Sequence, residues 1–450
     1  MKTSKYNLFW NIDEKKIAFN SATCALAEVD QNFFEIYNSI GEISYQNLSD
    51  EKKKLVDAMI EGGYVQKDHV DEIKILKYRQ YRGKMSTSNL GLTIAPTLCC
   101  NFKCPYCYES PKSGMMSMDV QNAIVDLVED SASRKQNVGI TWYGGEPLIA
   151  KEIISRLSRR LIDVCDKHKV KYSSFIVTNG FLIDGETIDL LKESRVSGAQ
   201  ITIDGPPEVH NKRRILKNSS DGTFDTILSN VKELKKNGIR VSIRINVDKD
   251  NIGSIGELLE ILEKNDLKDC PISLGHVEAY TESCASIAES CLCIEEYALE
   301  NEKYRKILYE KGFEVLGYPY YPGLKANYCC ADTVNSYVLD QDGFMYKCWN
   351  DLGNQKKSVM NVKNYNEPQS DVQYMNNVRF ITWSPFEFNQ CVECNLLPIC
   401  MGGCPYNGMK NSDRPNCEKW KYGLEEAIKF TYMCKKDKTD CVSYDSCNCI

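Results

Sequence analysis

Between residues 91 and about 276 the sequence alternates short strand-like runs with amphipathic helical stripes, and this alternation limits the fold more than any other feature. Candidate strands are Leu92 to Ala95, Val138 to Trp142, Ser173 to Val177, Gln200 to Ile203, Val241 to Val247 and Ile272 to Leu274. Val120, Ala123, Ile124, Leu127 and Val128 recur at helical spacing behind a candidate N-cap, Ser117. Ile154, Leu157, Leu161 and Cys165 form a second stripe, and Ile227, Val231 and Leu234 a third that stops at Gly238. Such strand-helix units predict an α/β fold with a parallel sheet, open or curled, and with chemistry at the carboxyl ends of its strands.

Each candidate motif follows a strand. After the first comes Cys100-Asn101-Phe102-Lys103-Cys104-Pro105-Tyr106-Cys107, a CxxxCxxC loop. Three thiolates on one tight loop can hold three irons of a [4Fe–4S] cube and leave the fourth open. Zinc would need a closed tetrahedral set, with adjacent Cys99 as the fourth ligand and no histidine near by. After the second strand stands Tyr143-Gly144-Gly145-Glu146-Pro147-Leu148. Paired glycines let a backbone approach a ligand closely, and the plain alternative is a tight turn. Thr178-Asn179-Gly180 closes the third strand. The fourth ends in Thr202-Ile203-Asp204-Gly205-Pro206, followed by His210, Arg213 and Arg214.

Twenty-two cysteines in a chain of 450 residues do not read as a disulfide framework, which belongs to small secreted domains. Isolated Cys24, Cys165 and Cys270 read as buried small hydrophobes. The last third is denser: Cys329-Cys330, then Gly343-x4-Cys348, then Cys391-x2-Cys394-x5-Cys400-x3-Cys404, then Cys417. Four thiols so spaced seldom arise by chance, although zinc held by four cysteines also uses C-x2-C. Cys284, Cys291 and Cys293, and the tail cysteines Cys434, Cys441, Cys447 and Cys449, receive no role.

Residues 1 to about 75 read as a separate unit: strands at Tyr6 to Trp10 and Lys16 to Asn20 around a turn at Asp13-Glu14, then helices near Phe33 to Ile40 and from Ser49 to Gly62. The basic stretch Lys74 to Lys84 reads as a solvated helix and linker. A net charge of -6 gives no reason to expect nucleic acid as a partner, and no apolar run approaches a membrane helix or a signal peptide. The expected location is cytoplasmic.

The CxxxCxxC loop, with an aromatic residue just before its last cysteine, resembles the radical S-adenosylmethionine (radical SAM) enzymes. The resemblance implies that Cys100, Cys104 and Cys107 hold a cluster whose open iron chelates SAM, that Tyr106 lies beside the adenine, and that Gly144, Gly145 and Glu146 hold the SAM amino group. The Asp-Gly-Pro, His, Arg run resembles that of radical SAM peptide and sulfatase maturases, which implies SAM contacts for Thr202 and Arg214. Against it stands a strand alcohol and a solvated arginine. The last third resembles the SPASM domain with two auxiliary [4Fe–4S] clusters. One would take Cys330, Cys348 and Cys404, with a further ligand near Cys329; the other would take Cys391, Cys394, Cys400 and Cys417, with Cys434 as a competitor for the last place.

By this resemblance the fold is a partial (β/α)6 TIM-like barrel with an N-terminal winged-helix-like unit and a C-terminal cysteine-rich SPASM domain. The implied divisions are a leader-peptide recognition unit at 1–75, for which a merely structural N-terminal cap is the alternative, the barrel at 90–290, a bridge at 291–326, the SPASM domain at 327–421 and a cysteine-rich tail at 422–450. The implied activity is that of a radical SAM oxidoreductase using SAM and three [4Fe–4S] clusters to join cysteine sulfur to carbon in a ribosomally made peptide. Its partners would be a cysteine-containing precursor peptide and a low-potential reductant such as flavodoxin or ferredoxin. No catalytic side chain is named by the sequence. Two other readings stand: a maturase forming formylglycine in sulfatases, which needs a well-placed carboxylate that no motif supplies, and a non-catalytic iron-sulfur carrier or redox sensor.

Overall fold

The computed structural model describes residues 1–314, 322–411 and 414–437. Its N-terminal unit comprises β1 (Lys2–Thr3), β2 (Asn7–Ile12), β3 (Lys15–Asn20), β4 (Ala25–Val29), α1 (Gln31–Ser39), α2 (Asp50–Glu61) and β5 (Val65–Gln66). Strands β2, β3 and β4 form an antiparallel sheet, and β1 pairs with β5. Asp13 and Glu14 take positive φ angles of 47° and 66° in the β2–β3 turn, the backbone twist that a two-residue hairpin favours. Ser49 caps α2 by accepting from the Lys52 N–H at 3.4 Å. The sequence reading lacks β4, whose Ala25, Ala27 and Glu28 carry little strand preference.

This small sheet is covered on both faces. Ala18 packs with Phe33, Ile36, Val56 and Met59 of the unit's own helices. Ile12, Ile17 and Phe19 instead meet Ile399, Trp420, Leu424 and Ile428 from the far end of the chain. Helix α3 (Glu72–Met85) then carries the basic stretch. Only its outer half is solvated, contrary to the sequence reading. Leu76, Gln80 and Lys84 are buried, and the Lys84 ammonium lies 3.7 Å from Asp332 and donates to the Ile381 carbonyl at 3.2 Å.

The six strands expected between 91 and 276 are all present: β6 (Asn89–Ile94), β7 (Asn137–Trp142), β8 (Lys171–Thr178), β9 (Val196–Thr202), β10 (Arg240–Val247) and β11 (Ile272–His276). They run parallel in the order β11-β10-β9-β8-β7-β6. The intervening helices are α4 (Met118–Ala132), α5 (Lys151–His168), α6 (Gly185–Glu193), α7 (Pro207–Arg213), α8 (Phe224–Lys236) and α9 (Ile255–Lys264). On β7, Val138, Ile140 and Trp142 are buried in the core shared with these helices, whereas Gly139 and Thr141 line the inner wall. The wall stays polar because it borders cavities, which explains the alternating rather than continuous apolar pattern.

The barrel does not close. The free edge of β6 takes β12 (Ser336–Leu339) in parallel, and β13 (Phe344–Tyr346) and β14 (Met360–Asn361) continue antiparallel to complete a nine-stranded sheet. The cysteine-rich region is thereby stitched to the strand that precedes the CxxxCxxC loop. Between barrel and stitch lies α10 (Ile294–Glu310), capped by the Cys293 thiol, which accepts from the Glu296 N–H. Helices α11 (Asp371–Thr382), α12 (Asn389–Val392), α13 (Leu397–Cys400), α14 (Pro405–Lys410) and α15 (Trp420–Asp437) follow. Residues 422–437, read as tail from sequence, belong to α15 and bury Leu424, Ala427 and Ile428; Cys441, Cys447 and Cys449 lie outside the described residues. Among the described residues no helix is long and apolar enough to cross a membrane.

Candidate active site

The CxxxCxxC loop leaves β6 and is fastened by several neighbours. The Leu98 N–H donates to Gln341 Oε1 at 2.8 Å, the Lys103 N–H to the Ile215 carbonyl at 2.8 Å, and Asn179 Nδ2 to Asn101 Oδ1 at 2.7 Å. The paired glycines press against it from β7. A Cβ at Gly144, where φ is 123°, would stand 2.4 Å from the Thr97 carbonyl oxygen, and one at Gly145 would stand 2.2 Å from the Cys99 carbonyl oxygen. Glycine is required there by backbone-to-backbone approach between two loops. Glu146 stands behind this contact. Its buried carboxylate accepts from the Leu148 N–H at 3.0 Å, the Thr178 hydroxyl at 2.6 Å and the Asn179 N–H at 2.7 Å, so it ties the β7 loop to the end of β8.

Cys100, Cys104 and Cys107 border a cavity of about 370 Å³ over the carboxyl ends of the strands. Tyr106, Gly144, Gly145, Thr202 and Arg214 line it too, whereas Glu146 does not. The Tyr106 hydroxyl donates to Asp204 and accepts from Arg214 Nη1 at 3.2 Å, while the Arg213 guanidinium lies 5.0 Å from its ring centre. Arg213 itself binds both Asp248 oxygens at 2.7 and 2.9 Å. His210 locks the run behind these arginines: its Nδ1 accepts from the Asp204 N–H at 3.3 Å, and its Nε2 lies 3.1 Å from the Thr223 hydroxyl, which donates to the Arg214 carbonyl. Arg214 is therefore built in, not solvated.

The C-terminal thiols sort into two groups. Cys348 lies within electrostatic reach of Cys404 and Cys330, and Cys329 stands next to Cys330 in the chain. Cys391 lies within reach of Cys400, Cys417 and Cys394. Cys404, Trp349 and Asn350 line the same cavity as the CxxxCxxC loop. Among the described residues no three Cys, His, Asp or Glu side chains converge as the ligands of a single ion do.

Residues 94–262 match the Radical SAM superfamily. The chain carries a radical SAM domain. A cysteine-type anaerobic sulfatase-maturating enzyme of Clostridium novyi (strain NT) is 25% identical over 386 residues, which span 77% of this chain and 98% of that protein. Two solved structures share the fold. Native anSMEcpe with bound AdoMet superposes with a TM-score of 0.60 at 22% identity, covering 77% of this chain and 98% of its own. Streptococcus suis SuiB bound to precursor peptide SuiA gives 0.52 at 17% identity, covering 93% of this chain and 98% of its own.

A radical SAM domain implies a [4Fe–4S] cluster and SAM, and the cavity's lining offers three thiols to the first and a buried guanidinium to the second. Burial pushes the Cys100 and Cys107 thiols up to about 12, so holding them as thiolates requires the positive charge that irons supply. The Nε of Arg214 is buried without a partner beside the cavity, a cation with donor capacity to spare.

Of the other cavity residues, Tyr143 heads the paired-glycine run and Arg244 lies on the fifth expected strand, whereas Glu109, His276, Glu278 and Tyr280 belong to no motif. Glu109 sits beside Tyr143, whose hydroxyl meets that of Tyr108, and the Tyr143 ring lies 4.3 Å from that of Trp349. Arg244, His276, Glu278 and Tyr280 line the cavity as well. Their convergence depends on five separate strands and loops. Only the adjacency of Glu109 to Cys107 and of Trp349 to Cys348 hints at it in one dimension.

Proposed function

We propose that this radical SAM enzyme modifies a peptide by joining a cysteine sulfur to a carbon of a neighbouring residue. The observation that carries the reading is the shared cavity, which Cys100, Cys104, Cys107 and Cys404 all line. When bound, SAM and the clusters supply a deoxyadenosyl radical and an acceptor for one electron. The chain's own residues hold and exclude. Tyr106, Gly144, Gly145, Thr202 and Arg214 frame the SAM half, and Glu146 positions the loop behind it. Cys330, Cys348 and Cys404, with Cys329 beside Cys330, form one auxiliary ligand set, to which a soft substrate sulfur is suited. Cys391, Cys394, Cys400 and Cys417 form the other.

Forming the carbon-sulfur bond breaks one C–H and one S–H. A hydrogen atom leaves the carbon, a proton leaves the thiol and one electron is left over, for which a bound cluster would be the acceptor. Glu278 faces the cavity as a proton acceptor, fixed by Asn407 Nδ2 at 3.4 Å. Residues 1–75 recognise the precursor's leader, a reading supported by SuiB, whose match extends over 93% of this chain and whose structure holds a precursor peptide. A low-potential carrier such as flavodoxin or ferredoxin supplies electrons.

The second reading, oxidation of a sulfatase cysteine to formylglycine, is supported by the near-complete span of the Clostridium novyi enzyme and by two cavity carboxylates, Glu109 and Glu278. The discriminating experiment incubates reconstituted enzyme, SAM, reductant and a cysteine-containing precursor, followed by tandem mass spectrometry. The thioether reading expects a product lighter by two hydrogens per crosslink, with one fewer alkylatable thiol for each. A modified product that keeps every thiol overturns it, and an aldehyde in place of a cysteine establishes the second reading.

A further inference from the structure

Helix α3 packs against the segment on either side of the Cys329–Cys330 pair, in which Cys329 is half-buried and Cys330 exposed. At about 100° per residue, Leu76, Gln80, Gly83 and Lys84 fall on its inner face. Gly83 allows intimate contact there: a Cβ would stand 2.8 Å from the Ala326 Cβ and 3.1 Å from Asn327 Oδ1, and Asn327 Nδ2 donates to the Cys329 carbonyl at 2.7 Å. The Lys84 carbonyl accepts from the Val334 N–H, closing the same contact from the other side of the cysteine pair.

The outer face is unusual for a solvated helix. Tyr78, Tyr81 and Met85 are 63%, 60% and 50% exposed, interleaved with Lys74 and Arg82. Lys74 is 82% exposed, with only Asp71 of its own helix start at 3.5 Å, and the Arg82 guanidinium lies 5.9 Å from the Tyr78 ring. Within a chain of net charge -6, this is a local basic and aromatic surface. Exposed aromatics flanked by cations mark a protein-binding surface for an acidic partner.

We propose that the outer face of α3 docks an acidic one-electron carrier protein and exchanges its electron with the centre that Cys330, Cys348 and Cys404 hold. The inference rests on the auxiliary-cluster reading above. A helix with its side chains is about 10–12 Å across, so the surface of a carrier seated on α3 stands about one helix thickness from the Cys329–Cys330 segment. One electron passes from carrier to centre, and no bond or proton changes place. The charge pattern favours an acidic protein over an uncharged peptide, and the contact with the cysteine loop gives the docking a redox purpose.

The test mixes fully iron-loaded enzyme with a reduced bacterial flavodoxin, without SAM, and follows bleaching of the iron-sulfur absorbance by stopped flow. The K74E/R82E variant is expected to bleach about tenfold more slowly than wild type at low salt, and the wild-type rate should fall as salt is added. Y78A/Y81A should slow bleaching as well, with dithionite bleaching unchanged in both variants. Equal flavodoxin rates in wild type and K74E/R82E overturn the proposal, as does weakened precursor binding with an unchanged flavodoxin rate. Should a variant fail to load iron, carbodiimide crosslinking of wild type to flavodoxin decides: crosslinks at Lys74 or Lys77 support the site, and crosslinks confined to other lysines overturn it. A wild-type protein that dithionite bleaches only to the extent of one cluster brings down the auxiliary-cluster reading instead.

Discussion

His210 shows how much of the site depends on groups that touch no ligand. Burial, helped by the charges of Arg214 and Arg213, pushes its imidazole down from the ordinary 6.5 to about 3. The folded protein therefore keeps it neutral while the unfolded chain takes up a proton below about pH 6.5. Stability contributed by the neutral ring is complete above that value and is lost as pH falls toward 3. Between pH 7 and 5 the loss should reach about 2 kcal/mol, at about 1.4 kcal/mol per pH unit below 6.5. Urea unfolding of the iron-free protein at both values checks this, because His210→Gln should remove that share of the pH dependence whatever it does to stability at pH 7. Glu146 supports the site in a different way. Three donors converge on its buried carboxylate, so Glu146→Ala should cost about 2–4 kcal/mol by the same assay and strand the Thr178 hydroxyl and the Asn179 N–H. A cost below about 1 kcal/mol would mean that water replaces the carboxylate.

Among the elements, the two loops at the head of β6 and β7 behave as one part. With the Cys99 carbonyl 2.2 Å from where an alanine Cβ would sit, Gly145→Ala cannot be accommodated unless the cysteine loop moves. Reconstituted Gly145→Ala should hold about four fewer irons than wild type and lose SAM cleavage, while the C-terminal thiols keep theirs. Unchanged iron content would show that the loop tolerates displacement. The glycine pair was readable in the sequence as a demand for close approach, but what approaches was not, because Leu98 and Cys99 lie some forty-five residues away. The six barrel strands were legible for a local reason: one face packs on helices and the other faces a cavity, so each strand writes its own alternation. Strand β12 was not, since four residues between turns carry too little pattern and its place beside β6 is a long-range choice. Helix α3 misled for a related reason. Its buried face includes Gln80, Gly83 and Lys84, which a hydropathy pattern counts as solvent-facing.

At the scale of the whole molecule, the N-terminal unit is wedged against the second group of C-terminal cysteines. Tyr6 is fully buried among Leu76, Cys391, Leu397 and Met401. The Lys5 ammonium donates to the Val392 carbonyl and the Ser21 hydroxyl to the Asn395 carbonyl, so the turn that presents Cys391 and Cys394 is gripped from outside. Deleting residues 1–71 would also bare Ile399, Trp420, Leu424 and Ile428, a continuous apolar face that invites aggregation. Such a deletion therefore cannot separate leader recognition from cluster support. Tyr6→Ala can, because it empties space beside Cys391 while leaving the sheet β2-β3-β4 and its own helices in place. A large-to-small change at a fully buried aromatic costs about 3–5 kcal/mol, and here the loss falls on the turn that holds the thiols. Tyr6→Ala should then retain about four fewer irons per chain after reconstitution, with SAM cleavage in the absence of peptide preserved and precursor affinity by calorimetry unchanged. Full iron retention in Tyr6→Ala would mean that the unit rests on the cysteine region without supporting it, and weakened precursor binding with full iron would place Tyr6 in leader recognition.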